Sequence, residues 1–261
     1  MTIKLYQVDA FTNEVFRGNP AAVCPLEKWL PDEILQKIAA ENNLSETAFI
    51  VQHNNKFEIR WFTPTIEVDL CGHATLAGAY VLFNYENYTQ DKIEFYSPRS
   101  GQLTVTKNGT LLALNFPTDE FSEVELTGLL KATTDKTAIF AYKGKTDYML
   151  LFNSEEDIIT MKPDLSAIAQ LAARGLIVTA KGNKNDFVSR FFAPAAGVNE
   201  DPVTGSAHTT LIPYWAGKLG KTTLTASQLS ERHGTLYCRM LGNRVEIAGS
   251  AVLYLKGEIN I

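Results

Sequence analysis

The chain has 261 residues, 45% of them hydrophobic and 20% charged, with a formal net charge of −5. That is the composition of an ordinary globular protein of one large or two medium domains, and its mild acidity argues against nucleic acid or an anionic membrane as partner. The cysteines, Cys24, Cys71 and Cys238, are odd in number and far apart, which argues against a disulfide framework and points to a reducing cytoplasm. No apolar run reaches membrane length, and residues 1–11 lack the charged-then-apolar layout of a signal peptide.

In chain order, residues 2–11 alternate like a strand, and Arg17-Gly18-Asn19-Pro20 reads as a turn or loop. Pro31-Asp32-Glu33 opens a helix with proline and acids in its first turn; Ile34, Leu35, Ile38 and Ala39 follow at helical spacing, and Asn42-Asn43 closes it. Leu44-Ser45-Glu46 is a turn feeding the β-rich run Thr47-Ala48-Phe49-Ile50-Val51. A further strand is expected over 56–63. Residues 74–83 carry no charge and have no polar face, so they predict a fully buried helix. The five residues before it, Asp69-Leu70-Cys71-Gly72-His73, hold an acid, a thiol and an imidazole where free backbone N–H groups and the helix dipole attract anions. Strands near 92–97, 102–107 and 110–116 complete the first half, with turns at Gly101 and Asn108-Gly109.

The second half repeats the first. Phe57-x-x-Arg60-Trp61-Phe62-x-Pro64 matches Phe187-x-x-Arg190-Phe191-Phe192-x-Pro194 at an offset of 130 residues, which also pairs Val68 with Val198 and Cys71 with Asp201. Gly72-His73-Ala74 matches Gly205-Ser206-Ala207 at an offset of 133, and Arg99, Gly101 and Leu103 keep that offset with Arg232, Gly234 and Leu236. A constant shift on each side of one insertion predicts two pseudo-symmetric halves. Their limits are 1–117 and 118–261, with room for a terminal strand over 251–261 to return to the first half. Each half is expected to wrap a strand set round a largely apolar helix, Leu211, Ile212, Tyr214, Trp215 and Ala216 marking the second. Twofold halves would bring both helix N-termini to one cleft, suited to a small carboxylate and to proton abstraction beside it.

Four stretches carry a resemblance: Val8-Asp9-Ala10-Phe11-Thr12 with Phe16-Arg17-Gly18-Asn19-Pro20, then Ser45-Glu46-Thr47-Ala48-Phe49, Cys71-Gly72-His73-Ala74-Thr75, and Glu200-Asp201-Pro202-Val203-Thr204-Gly205-Ser206-Ala207. In this order the chain resembles the PhzF-like isomerases of phenazine biosynthesis. The resemblance implies the α+β diaminopimelate-epimerase fold: two related domains, each a barrel-like, mostly antiparallel sheet around a central helix, with the active site between them. It implies a cofactor-independent isomerase that moves a proton by acid–base catalysis on a small carboxylate-bearing metabolite. Glu46 is then the proton shuttle, with His73 and Asp201 acting on the substrate beside it. Asn19, Cys71, Gly72, Gly205 and Ser206 are expected to contact the substrate.

The related epimerases and racemases use two opposed cysteines; this chain has Cys71 at the first position and, at the offset of 130, Asp201 at the second. An amino-acid racemase or epimerase using Cys71 and Asp201 is therefore the competing enzyme reading, and a non-catalytic small-acid binder the competing reading of another class. His208, one turn into the second helix, reads as structural, and His53 and His233 as loop residues. Trp215-Ala216-Gly217-Lys218-Leu219-Gly220-Lys221-Thr222 ends like a phosphate-binding loop but starts with Trp and follows a helix, so its glycines read as helix termination. No dinucleotide fingerprint follows a strand and no cysteine–histidine spacing suits a metal, so neither nucleotide cofactor nor metal is expected. A homodimer stays open.

Overall fold

The computed structural model describes residues 1–53 and 56–261. They form two compact units, one of Met1–Asn115 with Ala248–Ile261, the other of Phe116–Ile247.

In the first unit β1 (Thr2–Ala10) pairs antiparallel with β2 (Asn19–Leu26). Their link is tight: Gly18 has φ 63°, and a Cβ there would come within 2.1 Å of the Ala10 carbonyl oxygen. Only glycine suits that approach, and it lets Asn19-Pro20, read above as turn residues, begin a strand. The helix α1 (Asp32–Asn42) starts after Pro31 and stops at Asn43 in the left-handed region. Leu35, Ile38 and Ala39 of α1 pack on Cys24, Phe49 and Phe62. Then β3 (Glu46–His53) runs parallel to β2, and β4 (Lys56–Phe62) antiparallel to β3. After the short β5 (Glu67–Val68) comes α2 (Gly72–Tyr85). β6 (Lys92–Ser97) lies parallel to β4, followed by β7 (Gly101–Asn108) and β8 (Leu111–Pro117), each antiparallel to the strand before it.

The apolar run does form a core helix. Nine residues of α2, from His73 to Leu82, are buried, and α2 packs against β1, β2, β3 and β7. Its approach to β3 is close enough that a Cβ on Gly78 would meet Ile50 Cδ1 at 2.8 Å.

The second unit contains β9 (Ser122–Val124), α3 (Gly128–Ala132), β10 (Phe140–Lys143), β11 (Asp147–Leu151), α4 (Glu155–Thr160), α5 (Leu165–Ala169), β12 (Gly175–Lys181) and β13 (Phe187–Phe192). A 3₁₀ turn at Pro194–Ala196 leads to α6 (His208–Leu219), β14 (Thr223–Gln228), β15 (Gly234–Leu241) and β16 (Arg244–Gly249). Gly220 caps α6 in the left-handed region, as its spacing suggested. The last strand, β17 (Ala251–Asn260), pairs along β1 in the first unit. Among the described residues no helix is long and apolar enough to cross a membrane.

The two units share one pattern. β2, β3, β4, β6 and β7 pair in the sense parallel, antiparallel, parallel, antiparallel, and so do β11, β12, β13, β14 and β15. A mostly apolar helix follows the third strand in each, and an outer helical segment (α1, or α4 and α5) follows the first. The arginines of the repeat show why it persists. Arg60 grips Glu67 through Nε and Nη2 at 2.7 and 2.9 Å, and Arg190 grips Glu200 through the same atoms at the same distances. Each guanidinium lies over the aromatic ring two residues on, Phe62 at 5.1 Å and Phe192 at 4.9 Å. A forked, stacked arginine is a geometry lysine cannot reproduce.

This contact also corrects the register of the repeat. Glu67 and Glu200 are already 133 residues apart, so the three extra residues fall in the 193–200 turn and not after Asp201. The pairing beyond it agrees: Trp61 lies opposite Val68, and the Asp201 amide donates to the Phe191 carbonyl. Cys71 is therefore equivalent to Thr204, and Asp201 to Val68. The pairings of Cys71 with Asp201 and of Val68 with Val198 came from extending the earlier offset across a turn whose length had changed.

Candidate active site

The N-terminus of α2 brings four of the expected residues together. Glu46 is the first residue of β3, which the parallel register sets beside Ala21 of β2. Asn19 starts β2, Cys71 is the residue before α2, and His73 lies in its first turn. Their side chains converge on one imidazole. His73 Nε2 lies 3.2 Å from Glu46 Oε2, while His73 Nδ1 lies 3.2 Å from the Asn19 amide nitrogen and 3.4 Å from Cys71 Sγ. Glu46 keeps 19% side-chain exposure and His73 only 6%. The Glu46 approach is a charge contact that falls short of an aligned hydrogen bond, so Oε2 is buried with its accepting capacity unspent. With Nδ1 accepting from Asn19, the ring proton of neutral His73 stays on Nε2, facing the carboxylate.

The electrostatics separate the two groups. Burial opposes a charged His73, but the neighbouring Cys71 and Glu46 outweigh it and hold its pKa well above the ordinary histidine value. Burial pushes the Cys71 thiol up to about 11, with the Glu46 charge adding to it and the His73 contacts opposing. Near neutral pH the thiol is a protonated wall of the site. The helix N-terminus, which favours thiolate elsewhere, does not overcome burial here.

Glu46, Cys71 and His73 each offer a ligand atom within 4.8 Å of the others. His73 Nε2 lies 3.2 Å from Glu46 Oε2 and 4.0 Å from Cys71 Sγ, so the three could meet one ion, but a thiolate ligand there would have to overcome the burial that raises the Cys71 pKa.

The remaining expected residues belong to the second unit, in the turn before α6. Thr204 Oγ1 donates to Asp201 Oδ2 at 2.5 Å. Gly205 is buried and gives its carbonyl to the His208 amide. Ser206 Oγ accepts from Arg174 Nη1 at 2.9 Å, and Arg174 is itself forked onto the buried Asp147. Gly72, the first residue of α2, is half-buried. Thr204, Arg174 and Gln228 were not singled out from the sequence; the first lies inside a quoted motif, but the others lie in stretches with no chemical signature. His208, read as structural, is fully buried and hydrogen-bonds the Thr204 carbonyl. His53 ends β3 instead of lying in a loop, with Nε2 3.7 Å from Glu58. His233 does lie between strands, at φ 53°.

The family model described as phenazine biosynthesis-like protein matches residues 8–257. An uncharacterized isomerase of Pseudomonas aeruginosa is 52% identical over 262 residues, covering 100% of both chains. The crystal structure of a PhzF-family phenazine biosynthesis protein from Enterococcus faecalis gives a TM-score of 0.98 at 48% identity, with 100% of both chains covered. A hydroxyproline epimerase of Agrobacterium vitis, solved with bound trans-4-hydroxy-L-proline, gives a TM-score of 0.58 at 9% identity over 99% of this chain and 91% of its own, a likeness of fold alone.

Proposed function

We infer the chemistry of this chain from one premise and one contact: it belongs to the phenazine biosynthesis-like protein family, and its Glu46 lies 3.2 Å from a buried His73. The protein is a cofactor-independent isomerase. The finer reading is that it shifts a proton within a small metabolite that carries a carboxylate. Glu46 takes the proton from a carbon beside that carboxylate and returns it to another carbon of the conjugated system, so no net proton is gained or lost. His73, whose pKa its neighbours hold above the ordinary histidine value, presents its Nε2 proton toward the developing negative charge and holds the Glu46 carboxylate in place. Asn19, Gly72 and the wall formed by Cys71 are substrate contacts in this reading. So are Asp201, Gly205 and Ser206, with Asp201 orienting and polarising the substrate.

The carrying observation is the Glu46–His73 contact. It gives a buried acid–base couple with a free accepting position at the start of a core helix, where backbone N–H groups favour an anion. The test is incubation in deuterated water with a panel of unsaturated carboxylic acids and amino acids, trans-4-hydroxy-L-proline included, followed by NMR of the carbon-bound hydrogens. Wild-type protein should exchange or isomerise a member of the panel, and Glu46→Gln should not. Turnover that survives in Glu46→Gln would end this assignment. A protein that is only thermally stabilised by a panel member, with no exchange, would be a binder.

A further inference from the structure

Gln228 closes β14 and has no exposed surface. All of its side-chain polar capacity is directed at the turn before α6. Oε1 accepts from the Thr204 amide at 2.8 Å, and Nε2 donates to the Asp201 carbonyl at 2.7 Å and to Thr204 Oγ1 at 3.1 Å. The orientation of this amide is forced, because the Thr204 N–H can only donate and must face oxygen. Thr204 Oγ1 therefore accepts from Gln228, which leaves its own hydrogen for Asp201 Oδ2, 2.5 Å away. The result is a one-way chain, amide to hydroxyl to carboxylate. Ser230 just beyond holds the same turn through the Pro202 carbonyl, at 2.8 Å.

The internal repeat supplies the control. The strand registers make Ser97 the counterpart of Gln228: Phe57 pairs with Phe95 where Phe187 pairs with Ala226, and Ser97 pairs with Gly101 where Gln228 pairs with Gly234. Ser97 is buried too, but its hydroxyl accepts from the Arg99 and Ser100 amides of its own hairpin turn. The Asp69 carbonyl, the counterpart of Pro202, is reached by Ser100. The first unit thus uses hydroxyl groups at this place, and the amide that grips Asp201 and Thr204 belongs to the second unit's turn.

We propose that Gln228 is a positioning residue of the isomerase: by fixing the Thr204 hydroxyl and the 201–204 backbone, it presets the Asp201 carboxylate for the substrate. This rests on the role given to Asp201 above. Gln228 touches no reacting atom and acts through Thr204 and Asp201.

The test uses Gln228→Met, which keeps length and removes both polar ends, and Gln228→Glu, which keeps the acceptor for Thr204 and loses both donor contacts. The first measurement needs no substrate. Amide hydrogen exchange at 201–205 should quicken by roughly tenfold or more in Gln228→Met, while amides of β12 stay at wild-type rates. Equal exchange in the turn would overturn the clamp. If Gln228→Met does not fold, Gln228→Glu carries the same measurement.

The second measurement is a double-mutant cycle with Asp201→Asn, read as turnover of the panel member that wild type exchanges. Gln228→Met alone should lose roughly 10–100-fold, mainly in kcat, and should add less than about threefold in the Asp201→Asn background. Fully additive losses would overturn action through Asp201. An Asp201→Asn protein with full turnover, in which turn exchange still responds to Gln228, would instead fault the role of Asp201 and reduce Gln228 to a structural clamp.

Discussion

Cys71 and Thr204 stand at equivalent points of the two units, and each gives its backbone carbonyl to the side chain four residues on: Thr75 Oγ1 donates to Cys71 at 2.6 Å, and His208 Nδ1 to Thr204 at 2.8 Å. A two-base mechanism on one carbon would need a proton-transferring group at both points. One holds a thiol raised to about 11, and the other a hydroxyl already committed to Asp201. Neither titrates near neutral pH. The same reasoning removes the repeat as support for Cys71 and Asp201 as opposed bases.

Cys71→Ser should accordingly keep turnover within about threefold of wild type, because the thiol lines the wall and transfers no proton. Iodoacetamide at pH 7.5 should leave the Cys71 thiol unmodified over hours, as burial and protonation both oppose attack. Steady-state rates and intact-mass spectrometry check the two halves. Loss of turnover in a well-folded Cys71→Ser protein would restore the epimerase reading.

Glu46→Gln preserves shape and removes the base. Turnover should fall by roughly 10²–10⁴-fold, the usual worth of a positioned general acid–base group. Carboxylate binding, followed by the thermal shift of the same panel member, should change far less. The pair of measurements separates chemistry from binding, and a loss confined to binding would contradict the assignment.

Gly78→Ala tests the packing of the central helix. Alanine is the better helix former by about 1 kcal/mol, but its Cβ would sit 2.8 Å from Ile50 Cδ1. Overpacking of this kind costs about 1–3 kcal/mol, so urea unfolding should show net destabilisation. Ile50→Val removes the clashing methyl and should recover much of the loss in the double variant. Additive effects would show that α2 shifts as a whole instead.

Much of this architecture can be read from residue order, and the parts that cannot have physical reasons. Residues 74–83 declare a core helix because no polar face remains to meet water. Arg60 and Arg190 declare the repeat because a stacked, forked arginine tolerates little substitution. The point of insertion is hidden, because the Glu67 and Glu200 contacts that mark it exist only once the turn has folded. The segments α3, α4 and α5, of five or six residues, are too short to show a helical period, so the sequence from 118 to 181 gives no clear helix signal. Glu46, His73, Cys71 and Asn19 are legible as motif residues, and their convergence on one ring comes from the β2–β3 register and the start of α2. Gln228 leaves no trace in sequence, since its only distinction is what lies across from it.

The buried His208 makes the acid limit of stability predictable. Its Nδ1 donates to the Thr204 carbonyl, and its Nε2 lies buried with no hydrogen-bond partner among the described residues, beside the Phe187 ring at 5.9 Å between centroids. Protonating Nε2 would bury a charge, and burial lowers the pKa to about 4, with the Thr204 contact opposing. In the unfolded chain the same group titrates near the ordinary histidine value of about 6.5. Between these values the unfolded state holds more protons than the folded state, so stability rises with pH across that window and falls as pH drops from about 6.5 to about 4. Below about pH 4 both states are protonated and this contribution levels off. The difference is worth on the order of 3 kcal/mol. His208→Gln keeps a donor for the Thr204 carbonyl and removes the titration. Wild type should be the more acid-sensitive protein, with the gap in unfolding free energy between the two narrowing from pH 7 to pH 4.5. Parallel curves for the two proteins across that range would mean that His208 is hydrated or already charged in the folded state.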